Sequence, residues 1–326
     1  MMVFEPPCTE RYARWCERST AQIMSSLLLD SVHIYALAIS CFLFYNNIKI
    51  VQEEKCLIKQ LQTNYYMYVQ SKGGRKMSDI MEVYYFSPTG GTKKVSDIFA
   101  AAIGKEVIWH DLGDKQTLAK QPQGELIVVA APVFAGRIPS VVREKIKTLA
   151  GEGKKAVTIA VYGNRAYEDA LLEMNDILIQ GGFTVIASAA FVAQHSIVPE
   201  VGAGRPDAED IKEIRIFAET VKSSTSPENV HVPGNRPYKP EMNVVAAPLS
   251  LPSCTACGAC AKICSTDAIS NVDGKMATDA AKCILCMACI HACPKKARIL
   301  PPPLQQKTDN MLAAFKAVRN KNETFF

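Results

Sequence analysis

The 326-residue chain has no long hydrophobic run and no charge bias of one sign, and each absence removes a class of function. Its longest apolar stretch, Val32 to Tyr45, spans fourteen residues, short of the roughly 20 that a membrane-spanning helix needs. Extending it backward takes in Asp30, which is costly in a bilayer core. Arg11, Arg14 and Arg18 before the stretch are balanced by Lys49, Lys55 and Lys59 after it, so the positive-inside rule gives no orientation. Membrane association is not expected. The formal charge is +5, of which nine basic and six acidic side chains in residues 1–76 account for +3. The balance from Met77 onward offers no basic face to nucleic acid. With 48% hydrophobic and 21% charged residues, the composition is that of a folded protein and excludes a disordered one. A disulfide scaffold is excluded by position: eight of the twelve cysteines sit between Cys254 and Cys293, and clustering of that kind points to metal. The length predicts two domains at about 150 residues each.

Residues 1–76 read as a leader. Lys72-Gly73-Gly74-Arg75-Lys76-Met77 is what a bacterial ribosome-binding site would spell if translated in frame, so we expect the natural protein to begin at Met77.

From Met81 short apolar runs alternate with amphipathic stretches, the habit of a doubly wound α/β sheet. Strands are predicted at Glu82 to Phe86, Glu106 to His110, Leu126 to Ala131, Ala156 to Val161 and Phe183 to Phe191. Helices are predicted from near Thr92, Pro139, Arg165 and Pro206, with a short one between the second and third strands. Pro139 suits a first helical position, and Gly181-Gly182 closes the helix before the fifth strand. The fold class is therefore a five-stranded parallel sheet over residues 77–222, with its ligand crevice at the C-terminal ends of the strands.

Three loops lie at that edge. After the first strand, Ser87-Pro88-Thr89-Gly90-Gly91-Thr92 places hydroxyls and small residues at a helix start, which suits a phosphate. The spacing of a Walker loop is absent, and Gly202-Ala203-Gly204 lacks the third glycine of a dinucleotide fingerprint. An ordinary Ser- and Thr-rich capping turn would read the same way. After the third strand comes Pro132-Val133-Phe134-Ala135-Gly136-Arg137, and after the fourth Tyr162-Gly163-Asn164-Arg165-Ala166-Tyr167. Phe134, Tyr162 or Tyr167 offers a flat face to a ring, or fills core. Arg137 and Arg165 could tune a redox group or simply be solvated, and His195 could border the ligand or be a hydrogen-bonded loop residue.

Residues 223–247, with Pro233, Pro237 and Pro240, read as a linker or strap. A repeat with an offset of 29 residues follows: Cys254, Cys257, Cys260 and Cys264 recur as Cys283, Cys286, Cys289 and Cys293. C-x2-C-x2-C-x3-C, present twice, is the arrangement of two-cluster bacterial ferredoxins, in which the last cysteine of each run ligates the other cluster. Cys254, Cys257, Cys260 and Cys293 are assigned to one [4Fe–4S] cluster, and Cys283, Cys286, Cys289 and Cys264 to the second. Pro294 follows the last cysteine of the second run, whereas Ser265 stands in the first. A pair of structural zinc sites is the competing reading. Residues 248–303 form this small α+β domain, and in the tail, 304–326, Leu312, Phe315 and Val318 predict one amphipathic helix from Thr308 to Lys321.

The first loop resembles that of the flavodoxin superfamily, with Ser87, Gly90 and Thr92 in register and Ser96 where a small alanine is usual. Residues 78–303 as a whole resemble the flavodoxin-ferredoxin fusion family of anaerobic bacteria, through Ser87 to Thr92, Gly136-Arg137-Ile138-Pro139, Tyr162-Gly163-Asn164-Arg165 and Pro233-Gly234-Asn235-Arg236-Pro237-Tyr238. Phe134 stands where that family often has tyrosine. The resemblance implies FMN held by these loops, two [4Fe–4S] clusters, and electron transfer with redox partner proteins. No general acid and base pair is visible, which favours a carrier. A flavin-dependent reductase fed by the clusters is the alternative, and a purely structural metal the third. Low-potential clusters imply a reducing cytoplasm.

Overall fold

The computed structural model describes residues 80–115, 121–224, 228–242 and 244–326, all within one unit, Arg75–Phe326. The leader and the start at Met77 lie outside the described residues, as do residues 116–120, where the short helix between the second and third strands would fall.

Strands β1 (Ile80–Tyr85), β2 (Glu106–Asp111), β3 (Leu126–Pro132), β4 (Lys155–Tyr162) and β5 (Thr184–Val192) are parallel neighbours in the order β5-β4-β3-β1-β2. This is the flavodoxin-like order, with its switch point between β1 and β3. All but the last residue of β3 are buried, as expected of a central strand with helices on both faces. Helices α2 (Ser140–Ile146) and α3 (Ala170–Gln180) cover one face, where Val142, Leu171 and Met174 meet Tyr84, Ile127 and Val129. Helices α1 (Gly91–Ile103) and α4 (Ala208–Ser223) cover the other, where Val95, Phe99 and Phe217 meet Met81, Val83 and Val128. The two sets on β1 alternate because successive side chains leave a strand on opposite sides.

Thr92, Val95, Ser96, Phe99 and Ile103 form the inner stripe of α1, and the helix ends where Gly104, at φ +71°, returns its N–H to Ala100 O. Phe99 and Phe191 each pack on Phe217 with centroids 5.6 and 5.7 Å apart. Burying each such ring contributes roughly 1.5 to 3 kcal/mol.

The stretch after α4 is strapped along α3. Val185 accepts from Val230 and donates to Asn229, Asp169 accepts from the N–H groups of Asn235 and Lys239, and Asp176 accepts from Arg236 and Tyr238.

The cysteine module consists of β6 (Leu249–Ser250), α5 (Ala259–Lys262), the hairpin β7 (Ile269–Val272) and β8 (Lys275–Thr278), α6 (Ala288–His291) and β9 (Arg298–Ile299), with β6 paired to β9. Its backbone repeats as its sequence does. Left-handed residues occur in pairs 29 apart: Ala256 and Leu285, Gly258 and Met287, Asp267 and Lys296.

The tail departs from expectation. Helix α7 spans Pro302–Leu312, a short 3-10 turn covers Ala313–Phe315, and the chain then extends into β10 (Glu323–Phe325), not one helix from Thr308 to Lys321. Leu312 is buried against Val198 and Val201, but Val318 is 46% exposed, so the apolar stripe ends too soon to hold a longer helix. The free edge of β5 takes β10 as an antiparallel sixth strand, with Thr324 opposite Ala189.

Candidate functional site

The loops that follow β1, β3, β4 and β5 meet at the C-terminal edge of the sheet. The first turns tightly into α1: Gly90 donates to Ser87 O at 3.3 Å, and Lys93 N–H donates to Ser87 Oγ at 2.9 Å. Ser87 therefore accepts from the chain and keeps its hydroxyl proton free to donate. Gly90, at φ +90° and exposed, has open space where a Cβ would stand. Gly91 and Thr92 open α1, so their N–H groups have no carbonyl to bond within the helix. Pro88 and Thr89, between Ser87 and Gly90, are half-buried.

The loop after β3 is a two-residue turn. Phe134 and Arg137 exchange backbone hydrogen bonds of 2.8 and 3.1 Å across Ala135 and Gly136, both in the left-handed region. Pro132, Val133 and Phe134 are half-buried, and the Val133 and Phe134 side chains lean on the core. Arg137 turns away from the edge: it forks onto Glu173 through bonds of 2.8 and 2.6 Å, donates to Lys239 O and lies over the Tyr238 ring.

The loop after β4 is occupied by the tail. Tyr162 is buried and donates to Lys321 O at 2.7 Å, and Tyr167 donates to Glu323 at 2.7 Å. Burial pushes the Tyr162 hydroxyl up to about 12. Asn164, fully buried, donates to Phe315 O and Val318 O. Arg165 pairs with Glu168. Gly163 leaves room for His195, whose Cδ2 would lie 2.4 Å from a Cβ added there. His195 Nδ1 accepts from the N–H groups of Ile197 and Val198, both at 3.2 Å, which puts its proton on Nε2. Burial, helped by the Arg165 charge, pushes its pKa down to about 4, so the ring is neutral at physiological pH.

In the second module Cys264, Cys283, Cys286 and Cys289 line one cavity together with Ile269 and Pro248. The fourth cysteine of the first run thus stands with the first three of the second. Among the described residues no three Cys, His, Asp or Glu side chains converge on a single metal position. A four-iron cube carries its irons at separate corners, so its ligands surround a space, whereas zinc needs four donors about one point. Ala268 N–H donates to Cys264 Sγ at 3.3 Å and Ala297 N–H to Cys293 Sγ at 3.2 Å. Backbone N–H groups of Met276 and Ala256 hold the Cys254 thiol below its ordinary value, while burial pushes Cys286 up to about 12. Cys257 is exposed and Cys260 buried.

The two modules touch at this cavity. Ile284 and Cys286 pack against the core group that includes Tyr162 and Tyr167, on which Phe134 also packs, and Ile197, from the loop after β5, packs against the group of Leu285, Met287 and Leu300, as Cys283 does. Lys115, beyond β2, pairs with Asp267.

Two functional features were not anticipated from sequence: the tail's hold on the loop after β4, and the buried Arg298 beside Cys289. The repeat carried a signal for the second, since the position 29 residues earlier holds Ile269.

Among the described residues no helix is long and apolar enough to cross a membrane. Residues 253–298 match the family model described as a 4Fe-4S dicluster domain. No curated protein sequence matches the chain. Solved structures similar to it include a flavodoxin of Streptococcus pneumoniae TIGR4, 19% identical, covering 44% of this chain and 98% of that one at a TM-score of 0.36. Flavodoxin 1 of Bacillus cereus is 18% identical, with 45% and 99% covered and a TM-score of 0.35. A flavodoxin from the domain Archaea is 15% identical, with 44% and 96% covered and a TM-score of 0.33. The chain thus combines a flavodoxin-like parallel sheet, established by its strand order, with a two-cluster iron–sulfur module.

Proposed function

We propose that this iron–sulfur protein is an electron carrier that holds FMN on its sheet beside its two [4Fe–4S] clusters and exchanges electrons with partner proteins. The observation that supports the reading is the seat of the cysteine cavity: Ile284 and Cys286, which line it, rest on the same core group of the sheet domain on which Val133 and Phe134 pack. When bound, clusters supply one-electron transfer and FMN supplies one- or two-electron transfer.

Cys264, Cys283, Cys286 and Cys289 would hold the cluster nearer the sheet, and Cys254, Cys257, Cys260 and Cys293 the farther one. Ser87 and Thr89 hydroxyls and the N–H groups of Gly91 and Thr92 would hold the phosphate, with Pro88 and Gly90 shaping the turn. Pro132, Val133, Phe134 and Ala135 would border the ring, with Gly163 supplying backbone on its other side. Because Tyr162, Asn164 and Tyr167 lie beneath the tail, and Arg137 and Arg165 are committed to carboxylates, the flat contact falls to Phe134. Ile197, Ile284 and Leu285 exclude water between the modules. The neutral His195 presents an N–H and no charge to the edge. Clusters of this kind suit a reducing compartment.

The test is the iron, sulfide and flavin content of anaerobically purified protein begun at Met77, followed by rapid reduction of the clusters. About eight irons, eight sulfides and one FMN per chain, with flavin reduced at a rate independent of protein concentration, is the expected result. Zinc in place of iron, or no flavin at any loading, overturns it. Steady turnover of a small molecule in proportion to flavin would favour a reductase instead.

A further inference from the structure

Arg298 is a cation sealed into the cysteine module with no carboxylate partner among the described residues. It is 2% exposed. Its Nη1 donates to Ser250 Oγ and Met276 O, both at 3.0 Å, and its Nη2 to Pro248 O at 3.1 Å and to Thr278 Oγ1. All four acceptors are neutral. Nη2 also faces Cys289 Sγ at 3.8 Å, and Nε is buried with no hydrogen-bond partner. No carboxylate among the described residues pairs with it. A buried guanidinium in that state is strongly unfavourable unless negative charge stands near it.

The repeat shows that this is a choice of residue and not a demand of the fold. The position matching Arg298 is Ile269, an aliphatic group on the wall of the cysteine cavity. One half of the module thus has an apolar residue where the other has a permanent cation. The cation reaches elements of both halves: Ser250 before the first run of cysteines, the β8 hairpin strand between the runs, and Cys289 of the second.

We propose that Arg298 is the internal counter-charge of the two clusters and holds their reduction potentials up, a role that rests on the [4Fe–4S] ligation above. A four-iron cube held by four thiolates is a dianion when oxidised, and reduction adds one electron and no proton. A fixed cation in a dry interior favours the more negative state. The clusters also supply the negative charge that no described carboxylate gives Arg298.

The experiment compares Arg298→Met, Arg298→Gln and Arg298→Lys with the unaltered protein in an EPR-monitored redox titration, each sample assayed for iron and sulfide. At the potential where the unaltered protein is half reduced, the neutral variants should show a reduced-to-oxidised ratio about tenfold lower, a shift of about 59 mV for a one-electron couple. Arg298→Lys should stay within about threefold. Neutral variants that fail to retain iron while Arg298→Lys retains its full complement would support the same role through assembly. Fully loaded neutral variants that titrate with the unaltered protein would overturn it, as would equal loss of iron in all three. Absence of iron from the unaltered protein would instead remove the cluster reading on which the proposal stands.

Discussion

Tyr167 donates its hydroxyl to the Glu323 carboxylate across 2.7 Å, which fastens the loop after β4 to the last strand of the sheet. Asn164 makes the same connection through its amide, donating to Val318 O at 2.6 Å and Phe315 O at 3.1 Å and accepting from Asn320 N–H at 3.1 Å. Asn164→Ala leaves several partly buried backbone groups without their partner and should cost about 1 to 3 kcal/mol, whereas Tyr167→Phe, losing one bond to an exposed carboxylate, should cost about 1. Amide hydrogen exchange should rise across residues 316–326 in Asn164→Ala and stay unchanged in β3. A tail equally protected in that variant would show that pairing with β5 holds it without the loop.

His195 should make stability depend on pH in a narrow window. Its folded pKa of about 4 lies below the ordinary 6.5, because burial disfavours the charged ring. The unfolded chain therefore binds the proton more readily, so the contribution is complete above pH 6.5, falls as pH drops, and levels off near 4. The slope is at most about 1.4 kcal/mol per pH unit. Glu82 acts later: although burial raises its pKa, hydrogen bonds led by that from His110 bring it to about 2 from 4.5, so its contribution is lost only below pH 4.5. Between pH 6.5 and 4.5 the urea-unfolding free energy of the unaltered protein should fall relative to His195→Asn, whose Oδ1 can still accept from Ile197 and Val198. Parallel pH curves would show that His195 titrates normally.

Two glycines at φ +90° should respond very differently to alanine. At Gly136 an added Cβ would lie 1.8 Å from the Glu168 carboxylate and 2.9 Å from the Glu168 Cβ, and Glu168 is held by Arg165 and Lys239. At Gly90 nothing stands within 4 Å. Gly90→Ala should cost only the backbone strain, about 1 kcal/mol, and Gly136→Ala about 2 kcal/mol or more. Thermal unfolding of the two variants decides the order, and a smaller loss at Gly136 would mean that the turn opens without cost.

The sheet was legible because each central strand is a short apolar run bounded by turn residues, and the cysteine module because its spacing leaves little freedom. The tail was not. Leu312 and Phe315 have helical spacing whether or not the helix continues, and the decision lies in contacts far away in sequence: the unpaired edge of β5, Asn164 and Tyr167. For the same reason Tyr162 and Tyr167 read as ring-stacking candidates, since an aromatic at a ligand edge and one beneath a distant strand look alike until the strand is placed. Arg137 read as a free charge because its partner Glu173 is 36 residues away on α3.

The interleaving of the two cysteine runs makes a prediction that spacing alone cannot secure. Cys264 closes the first run yet shares its cavity with Cys283, Cys286 and Cys289, and Ala268 N–H, donating to its sulfur at 3.3 Å, steadies it there. Serine substitution at Cys264 should therefore disturb the same cluster as substitution at Cys286. Both variants should fall from about eight irons per chain to about four, or keep eight with one altered EPR signal, and the altered signal should be common to the two. Cys257→Ser and Cys293→Ser should change the other signal. Because Cys286 packs on the core of the sheet domain, loss of its cluster should also slow reduction of the proposed flavin more than loss of the farther one. If Cys264→Ser instead matched Cys257→Ser, each run would bind its own cluster, and the shared cavity would be a packing feature only.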